Sequence, residues 1–308
     1  MMPTYKGELP ILAPSDILRI GLQCLQIHTN ANHTLKWKNA TFLEHYGSDT
    51  LVLADIWHDL LHTDIPAAML LSSECNFKGL RFFFIAHYYL WFYPKNSKSV
   101  STRFQISKRY TRGVHLWKWI TKIAILRQKK IVWDKSLDSG ESEIYILAVD
   151  GTDCKVFEKK YFFFNQDKKQ FTKKRQHGGL KYEIAMSIRR PKVLWLNGPY
   201  CGGMNDLSIF NDKLRAKIKP WKRGIADLGY PGTQGVLSLP NWGMDSKEFN
   251  RFKTRARLRL ETFNGRMKKI EIVNHMFCHS QDKFKDAFEA VALIIQYQMD
   301  NGRPVFDV

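Results

Sequence analysis

The amino-acid sequence predicts an α/β protein in which an N-terminal helical region precedes a mixed sheet flanked by helices. Apolar residues recur at helical spacing through the first part of the chain, whereas short apolar runs typical of strands begin at Ile144. Residues 133–142, between the two, are polar and predict a linker. We therefore predict a helical region over 1–133 and an α/β region over 134–308, with 44% hydrophobic residues to build the core.

The helical region is predicted from apolar stripes and helix-breaking residues. Helices are expected over 16–26, 51–61, 79–92, 97–106 and 107–126, with Pro94 ending the third. The last one contains no acidic residue and follows a shorter helix and a tight turn. This arrangement is typical of a helix-turn-helix, placed at about 80–130, although an ordinary amphipathic surface helix has the same pattern. The candidate DNA contacts are Arg103, Lys108, Arg109, Arg112, His115, Lys118 and Lys122.

The α/β region is predicted from the change of hydrophobic period. Strands are expected over 144–149, 161–165, 182–188, 192–196 and 224–226, and helices over 206–218, 246–269 and 281–299. Consecutive strands followed by a helix, a further strand and a helix fit the α/β classes.

The charge of the chain favours a polyanionic partner. It has 48 Lys and Arg against 29 Asp and Glu, a formal net charge of +19, which is most often a sign of nucleic-acid binding. The surplus is uneven, because residues 95–130 contain no Asp or Glu and residues 251–269 contain a single acid, Glu261. A lone carboxylate in so basic a segment is not expected to be an ordinary surface charge.

Cysteines and apolar segments exclude several other classes. The five cysteines are scattered and odd in number, which favours reduced thiols over a disulfide framework. His275, Cys278 and His279 lie close together but lack a second spaced pair, so packing is favoured over a zinc site. No signal peptide is recognisable in residues 1–14, and the longest apolar stretch, 82–93, is too short to span a bilayer.

Three acidic residues stand where their carboxylates can converge. Asp150 ends a predicted strand before Gly151, Asp227 ends another before the turn residues 229–232, and Glu261 lies on a predicted helix. Two Mg²⁺ or Mn²⁺ ions need hard oxygen ligands of this kind. Each acid alone has a commoner explanation as a turn residue or helix cap. Basic residues around Glu261 are expected to hold DNA phosphates: Arg255, Arg257, Arg259, Arg266, Lys268 and Lys269.

Four motifs follow one another along the chain. They are VDGTDC at 149–154, GGMNDLSIF at 202–210, ADLGYPG at 226–232 and RLRLETFNGRMKK at 257–269. With these motifs the chain resembles the DDE superfamily endonucleases of the PIF/Harbinger transposase group, whose spacing Arg257, Glu261 and Lys268 reproduce. The C-terminal IIQYQMDNGRPVFDV also looks like that group, so the resemblance runs from about residue 80 to the end.

The resemblance implies an RNase H-like catalytic domain over 134–308 behind an N-terminal helix-turn-helix. It implies that Asp150, Asp227 and Glu261 hold two Mg²⁺ or Mn²⁺ ions, with Arg257 and Lys268 in support. The implied reaction is cleavage of double-stranded DNA at transposon terminal repeats, followed by attack of the freed 3′-hydroxyl on target DNA. A Myb/SANT-like accessory protein, a homodimer or larger assembly and a nuclear location without a membrane are also implied.

Two residues leave the assignment of roles open. Asp206 is an alternative to Asp227 as the middle acid, but it opens a predicted helix, where capping is a ready explanation. We choose Asp227, since in an RNase H fold it ends the strand beside the first, and we expect Asp206 nearby in support. Thr254 stands where related bacterial enzymes often carry Tyr, which removes at most an aromatic contact to phosphate.

Other functions compete with the transposase. The main alternative is a domesticated, catalytically silent protein that binds DNA through residues 95–130 and does not cut it. A basic structural or RNA-binding protein is a third hypothesis, and it leaves the lone Glu261 unexplained. The basic runs at 168–169 and 173–175 fit nuclear import and a DNA-facing patch equally.

Overall fold

The computed structural model describes nine segments of the chain. They are residues 11–30, 32–63, 78–94, 97–107, 114–139, 143–157, 171–172, 177–241 and 243–308. The strand predicted over 161–165 and the basic runs at 168–169 and 173–175 lie outside them.

The N-terminal region is helical, as predicted. Its helices are α1 (Pro14–Cys24), α2 (Leu35–Tyr46), α3 (Thr50–Leu61), α4 (Lys78–Phe92), α5 (Ser97–Arg103), α6 (Val114–Ile125), α7 (Arg127–Lys130) and α8 (Ser136–Ser139). The sequence reading missed α2, because its apolar residues form no clear stripe and only Phe42 and Tyr46 are buried. Thr34 caps this helix by accepting a hydrogen bond from the backbone of Trp37 at 3.2 Å.

The α/β region contains a mixed five-stranded sheet with flanking helices. This confirms the predicted mixed sheet behind a helical N-terminal region, and the arrangement is consistent with an RNase H-like fold. The strands are β1 (Tyr145–Lys155), β2 (Phe171–Thr172), β3 (His177–Ser187), β4 (Val193–Cys201), β5 (Arg223–Ile225) and β6 (Leu237–Ser238). The main sheet has the order β4-β3-β1-β5-β6, and the short β2 also pairs with β3. Strands β1, β3 and β4 are antiparallel neighbours, whereas β5 runs parallel to β1 and β6 parallel to β5.

Helices cover both faces of this sheet. They are α9 (Asp206–Ile209), which continues through a π-helical turn (Phe210–Leu214) into α10 (Arg215–Lys217), then α11 (Lys247–Met267), α12 (Glu271–Asn274) and α13 (Gln281–Asp300). On one face of β1, Leu147 and Val149 pack against Phe210 and Leu214. On the other face, Ala148 belongs to a larger core that includes α11 and α13.

The larger core also contains the N-terminal helices. Helix α13 is buried along its middle and packs against α3, α6, α11 and β4. The change from helices to strands near residue 134 therefore separates two types of secondary structure that share one hydrophobic core.

One prediction about β1 is wrong. Asp150 was expected at the end of a strand with Gly151 allowing a sharp exit, but β1 continues to Lys155. Asp150 pairs with Ile184 and Gly151 with Glu183 on the long neighbouring strand β3. The ladder of hydrogen bonds to β3 keeps the backbone extended through the glycine, and a single sequence does not show which strand lies alongside.

Candidate active site

Asp150 on β1 and Asp227, two residues past the end of β5, stand at corresponding positions of two neighbouring parallel strands. Ala148 of β1 pairs with Ile225 of β5, and each aspartate follows its paired residue by two positions. Their carboxylates accept hydrogen bonds from nearby backbone N–H groups, Asp150 Oδ1 from Gly151 and Asp227 Oδ1 from Gly229, both at 2.8 Å. The parallel register thus brings together two carboxylates that are far apart in the sequence.

Helix α11 brings a third carboxylate to this place. Glu261 and Arg257 lie one turn apart on the same face of the helix, which packs against β1. A pocket of about 40 Å³, large enough for a few water-sized groups, is lined by Val149, Asp150, Asp227, Arg257, Leu260 and Glu261. The three acids chosen from the sequence therefore share one pocket. Lys268, seven residues beyond Glu261 and just past the end of α11, is not among the lining residues.

Asp206 lies on the other side of Asp150, packed against Gly151. A Cβ at Gly151 would fall 2.2 Å from Asp206 Oδ1, and a Cβ at Gly229 would fall 3.4 Å from Asp206 Oδ2. The cap of α9 is Asn205, whose side chain accepts from the backbone of Ser208 at 2.7 Å. The capping role considered for Asp206 is therefore filled by its neighbour.

Lys181 of β3 is the cation nearest to Asp206. Its ammonium lies 3.1 Å from Asp206 Oδ1 and 3.8 Å from Asp153 Oδ1, and it donates to the carbonyl of Met204 at 2.9 Å. This pairing offsets the charge of Asp206. Asp227 and Glu261 are exposed, so packing does not fix their side chains.

We expect Gly151→Ala to disturb the acidic cluster, because its methyl group would occupy the space of the Asp206 carboxylate. The substitution should lower the free energy of unfolding by about 1–3 kcal/mol, the usual cost of overpacking. Urea denaturation measures this, with Gly243→Ala as the control, since a Cβ there meets no atom within 4 Å. Equal stability of the two variants would show that the contact of Asp206 with Gly151 does not contribute to the stability of the fold.

Negative charge is concentrated around Asp150. The pKa of Asp150 is raised to about 6, chiefly by burial and also by the charges of Asp227, Asp206 and Glu261, while the hydrogen bond from Gly151 lowers it. Burial also raises the pKa of Glu183, on the adjacent strand, to about 7, and Asp206 contributes to that rise. The cluster is thus short of positive charge.

The chemistry of the cluster suits a divalent cation, although its present geometry is not a finished metal site. Within the described segments, no three Asp, Glu, His or Cys side chains are arranged to hold one ion. The donors are nevertheless hard carboxylate oxygens, which Mg²⁺ and Mn²⁺ prefer. Burial and the neighbouring negative charges raise the pKa of Asp150, and a cation among these oxygens would stabilise its ionised form.

Three of the basic residues expected to hold phosphates bond instead to backbone carbonyls of this chain, which corrects one expectation. Arg259 is buried and donates to the carbonyls of Ser187, Ile188 and Phe306. Arg255 and Arg266 also donate to carbonyls of the C-terminal segment 303–307. Of the six expected phosphate contacts, these three hold the C-terminal segment against α11. Arg257 remains in the pocket, and its buried Nε has no hydrogen-bond partner among the described residues.

The proposed DNA-contacting segment is described only in part. Lys108, Arg109 and Arg112 lie outside the described residues. His115 and Lys118 are exposed on α6, and Lys122, on the same face, lies over the ring of Trp119 at 4.3 Å. Arg103, at the end of α5, contacts His45. The opposite side of α6 packs against α4 and α13, so this helix presents one narrow basic face.

Near residue 278, His279 and Cys278 contact aromatic residues, whereas the exposed His275 pairs with Glu271. His279 Nε2 lies 3.0 Å from the Tyr89 hydroxyl, and its ring contacts Trp117. The backbone N–H of Cys278 donates to the Tyr93 hydroxyl at 2.9 Å. These contacts agree with the packing interpretation that the sequence favoured.

A larger cavity, of about 660 Å³, lies away from the acids. It is lined in part by Trp91, Arg266, Lys269 and Arg303. Its size would favour this cavity as a binding site, but none of its lining residues belongs to the carboxylate cluster around Asp150. We take the small acidic pocket as the candidate site, because it brings together the three carboxylates selected from the sequence. Within the described part of the chain, no helix has the length and apolar character needed to cross a membrane.

The structure adds residues that the sequence reading did not select. Lys181 pairs with both Asp206 and Asp153, and Asn264 donates to Asp150 Oδ2 at 3.5 Å. Asn264 was detectable, because it follows Glu261 by three positions and so shares its helix face. Lys181 was not, because its position depends on the pairing of β3 with β1.

Comparisons with known protein families, with curated proteins and with solved structures found no match for this chain.

Proposed function

We propose that this protein is a DNA transposase of the DDE type, similar to the PIF/Harbinger group, that cleaves DNA strands with the help of divalent metal ions. The observation that carries the proposal is the meeting of Asp150, Asp227 and Glu261 at one pocket beside Arg257. Asp150 comes from β1, Asp227 from the segment just after the parallel strand β5, and Glu261 from a helix packed on the sheet. The mixed sheet with flanking helices is the setting that the proposal expects.

The three carboxylates would hold Mg²⁺ or Mn²⁺, two ions in the proposed form. When bound, such ions activate the attacking water or 3′-hydroxyl and stabilise the leaving oxygen. The protein itself supplies the orientation: backbone N–H groups hold Asp150 and Asp227, and Arg257 places a guanidinium beside the acids. Arg257 is suited to a DNA phosphate, because its planar group donates more than one hydrogen bond.

The proposed partners follow from the same function. Double-stranded DNA, both terminal repeats and target, is the substrate, and the basic face of α6 with His115, Lys118 and Lys122 is the proposed contact. The net charge of +19 supports a polyanionic partner. A Myb/SANT-like accessory protein, a homodimer or larger assembly and a nuclear location complete the proposal.

A second candidate is a catalytically silent DNA-binding protein descended from such a transposase. It is favoured by the finding that, in the described segments, the acids are not arranged to hold an ion. The two candidates differ in one measurable property, since both bind DNA but only the transposase cuts it.

The purified protein should nick DNA that carries its own flanking terminal repeats when Mn²⁺ or Mg²⁺ is present. We expect Asp150→Ala and Glu261→Ala to abolish nicking, because each removes a ligand from the shared pocket. Glu248→Ala is the matched control, since Glu248 is an exposed acid on the same helix. Nicking is measured on supercoiled plasmid, and binding by gel shift with and without EDTA.

The outcomes separate the two candidates. Binding that persists in EDTA while nicking stops supports the transposase. Equal binding by all proteins without nicking, even with a Myb-like partner added, would favour the silent DNA-binding protein.

A further inference from the structure

Asn264 stands behind the acidic pocket on the helix that carries Glu261. It lies one turn beyond Glu261 and two turns beyond Arg257, so these three side chains share one face of α11. The neighbouring face carries Leu260 and Phe263 into the core. Asn264 is only 7% exposed and is absent from the pocket lining. Asn264 therefore lies behind the pocket lining, where it can contact the acids but does not face the pocket.

The amide of Asn264 is directed at Asp150. Its Nδ2 donates to Asp150 Oδ2 at 3.5 Å, while Gly151 N–H donates to Asp150 Oδ1 at 2.8 Å. Both oxygens of this carboxylate are thus held, one from each side. Turning the amide over would place its oxygen against the carboxylate, so the donor orientation is the one that the charges favour.

The surroundings of the Asn264 side chain do not favour folding, so a purely structural role does not explain this residue. Its Oδ1 is buried and accepts no hydrogen bond from the described residues. Leaving a buried polar atom without a partner destabilises a fold. Asn250, on the same helix and also 7% exposed, donates instead to the carbonyls of Asn241 and Asp245, away from the acids.

We propose that Asn264 is a positioning residue that fixes the carboxylate of Asp150 for cation binding. The inference rests on the proposed function, since it assigns a role within the same site. Hydrogen bonds from a second layer of residues orient metal-binding side chains and often change metal affinity by 10–100-fold when removed. Gly151 and Asn264 hold both oxygens of Asp150, whereas the exposed Asp227 is held through one oxygen only, by Gly229, and Glu261 is exposed. Asp150 is therefore the carboxylate whose orientation is held most firmly in the site.

The test is Mn²⁺ binding to the full-length protein, measured by isothermal titration calorimetry without DNA. We expect Asn264→Ala to weaken Mn²⁺ binding about tenfold. Asn264→Asp, which has nearly the same shape, should also weaken it, because a donor is replaced by an acceptor. Asn250→Ala is the matched control and should leave Mn²⁺ affinity unchanged. Thermal unfolding of each variant reports whether it folds, and Asn264→Asp decides the test if Asn264→Ala does not.

The results distinguish this inference from the proposed function. Mn²⁺ binding that requires Asp150 but is unchanged in both Asn264 variants would overturn the positioning role alone. Tighter binding by Asn264→Asp would also overturn it, since the side chain would then be a direct ligand. If the wild-type protein binds no Mn²⁺ that Asp150→Ala removes, the proposed metal site itself fails, and the role of Asn264 falls with it.

Discussion

Asp150→Asn is expected to raise the thermal stability of the metal-free protein at pH 7 and to remove the stabilisation that Mn²⁺ gives the wild type. In the folded state the pKa of Asp150 is raised from 3.8 to about 6. At pH 7 the carboxylate is ionised beside Asp227, Asp206 and Glu261, and this ionisation destabilises the fold. Asparagine keeps the shape and removes the charge. A gain on the order of 1 kcal/mol corresponds to an increase in melting temperature of about 2–4 °C.

The pH dependence follows from the direction of that shift. Because the folded-state pKa lies above the unfolded value, the folded protein binds the proton more tightly, and stability falls as pH rises between about 4 and 6. Wild type and Asp150→Asn should therefore differ little at pH 4 and reach a constant difference above pH 6. Differential scanning calorimetry over this range measures the effect.

Glu183→Gln is the matched control for Asp150→Asn. It also removes a buried carboxylate, whose pKa is raised to about 7, and glutamine can still accept the 2.8 Å hydrogen bond from Trp195. This variant should gain stability at neutral pH and still be stabilised by Mn²⁺. We expect Asp150→Asn to melt above the wild type at pH 7. An equal or lower melting temperature would contradict the claim that the ionised Asp150 destabilises the fold.

Arg259→Leu is expected to lower the free energy of unfolding by about 3–5 kcal/mol, the range for breaking a buried charged network. The Arg259 side chain is 1% exposed and donates to the carbonyls of Ser187, Ile188, Arg190 and Phe306 at 2.7–3.2 Å. It joins α11 to the turn after β3 and to the C-terminal segment. Leucine fills part of the space but leaves these carbonyls without their donor.

Two further variants make the Arg259 prediction specific. Arg259→Lys should recover only part of the loss, because one ammonium cannot reach the carbonyls that a planar guanidinium spans. Arg251→Leu, at an exposed position of the same helix, should change stability by less than about 0.5 kcal/mol. Urea denaturation at pH 7 compares the three proteins. A loss below about 1 kcal/mol in Arg259→Leu would show that water replaces the arginine at little cost.

The surroundings of Arg259 could be predicted from the sequence only in part. The run of arginines around Glu261 was read as a DNA-facing surface, and only Arg257 lies in the pocket. Helical spacing places Arg257 with Glu261 and places Arg259 well away from both. The helix face that carries Arg259 contacts the carbonyls of residues 187–190 and 303–307. These contacts depend on how distant segments pack against α11.

The sequence by itself determined the order of helices and strands and the choice of acids. Hydrophobic period located most elements because each segment buries its own apolar side, and the motifs around Asp150, Asp227 and Glu261 selected residues that meet at one pocket. The tertiary structure alone decided the course of β1 through Gly151, the pairing of Lys181 with Asp206 and the contact of Asn264 with Asp150. Each of these depends on strand register or on a helix packed across the sheet. Such contacts join residues far apart in the chain, and local sequence does not encode which distant segment will lie alongside.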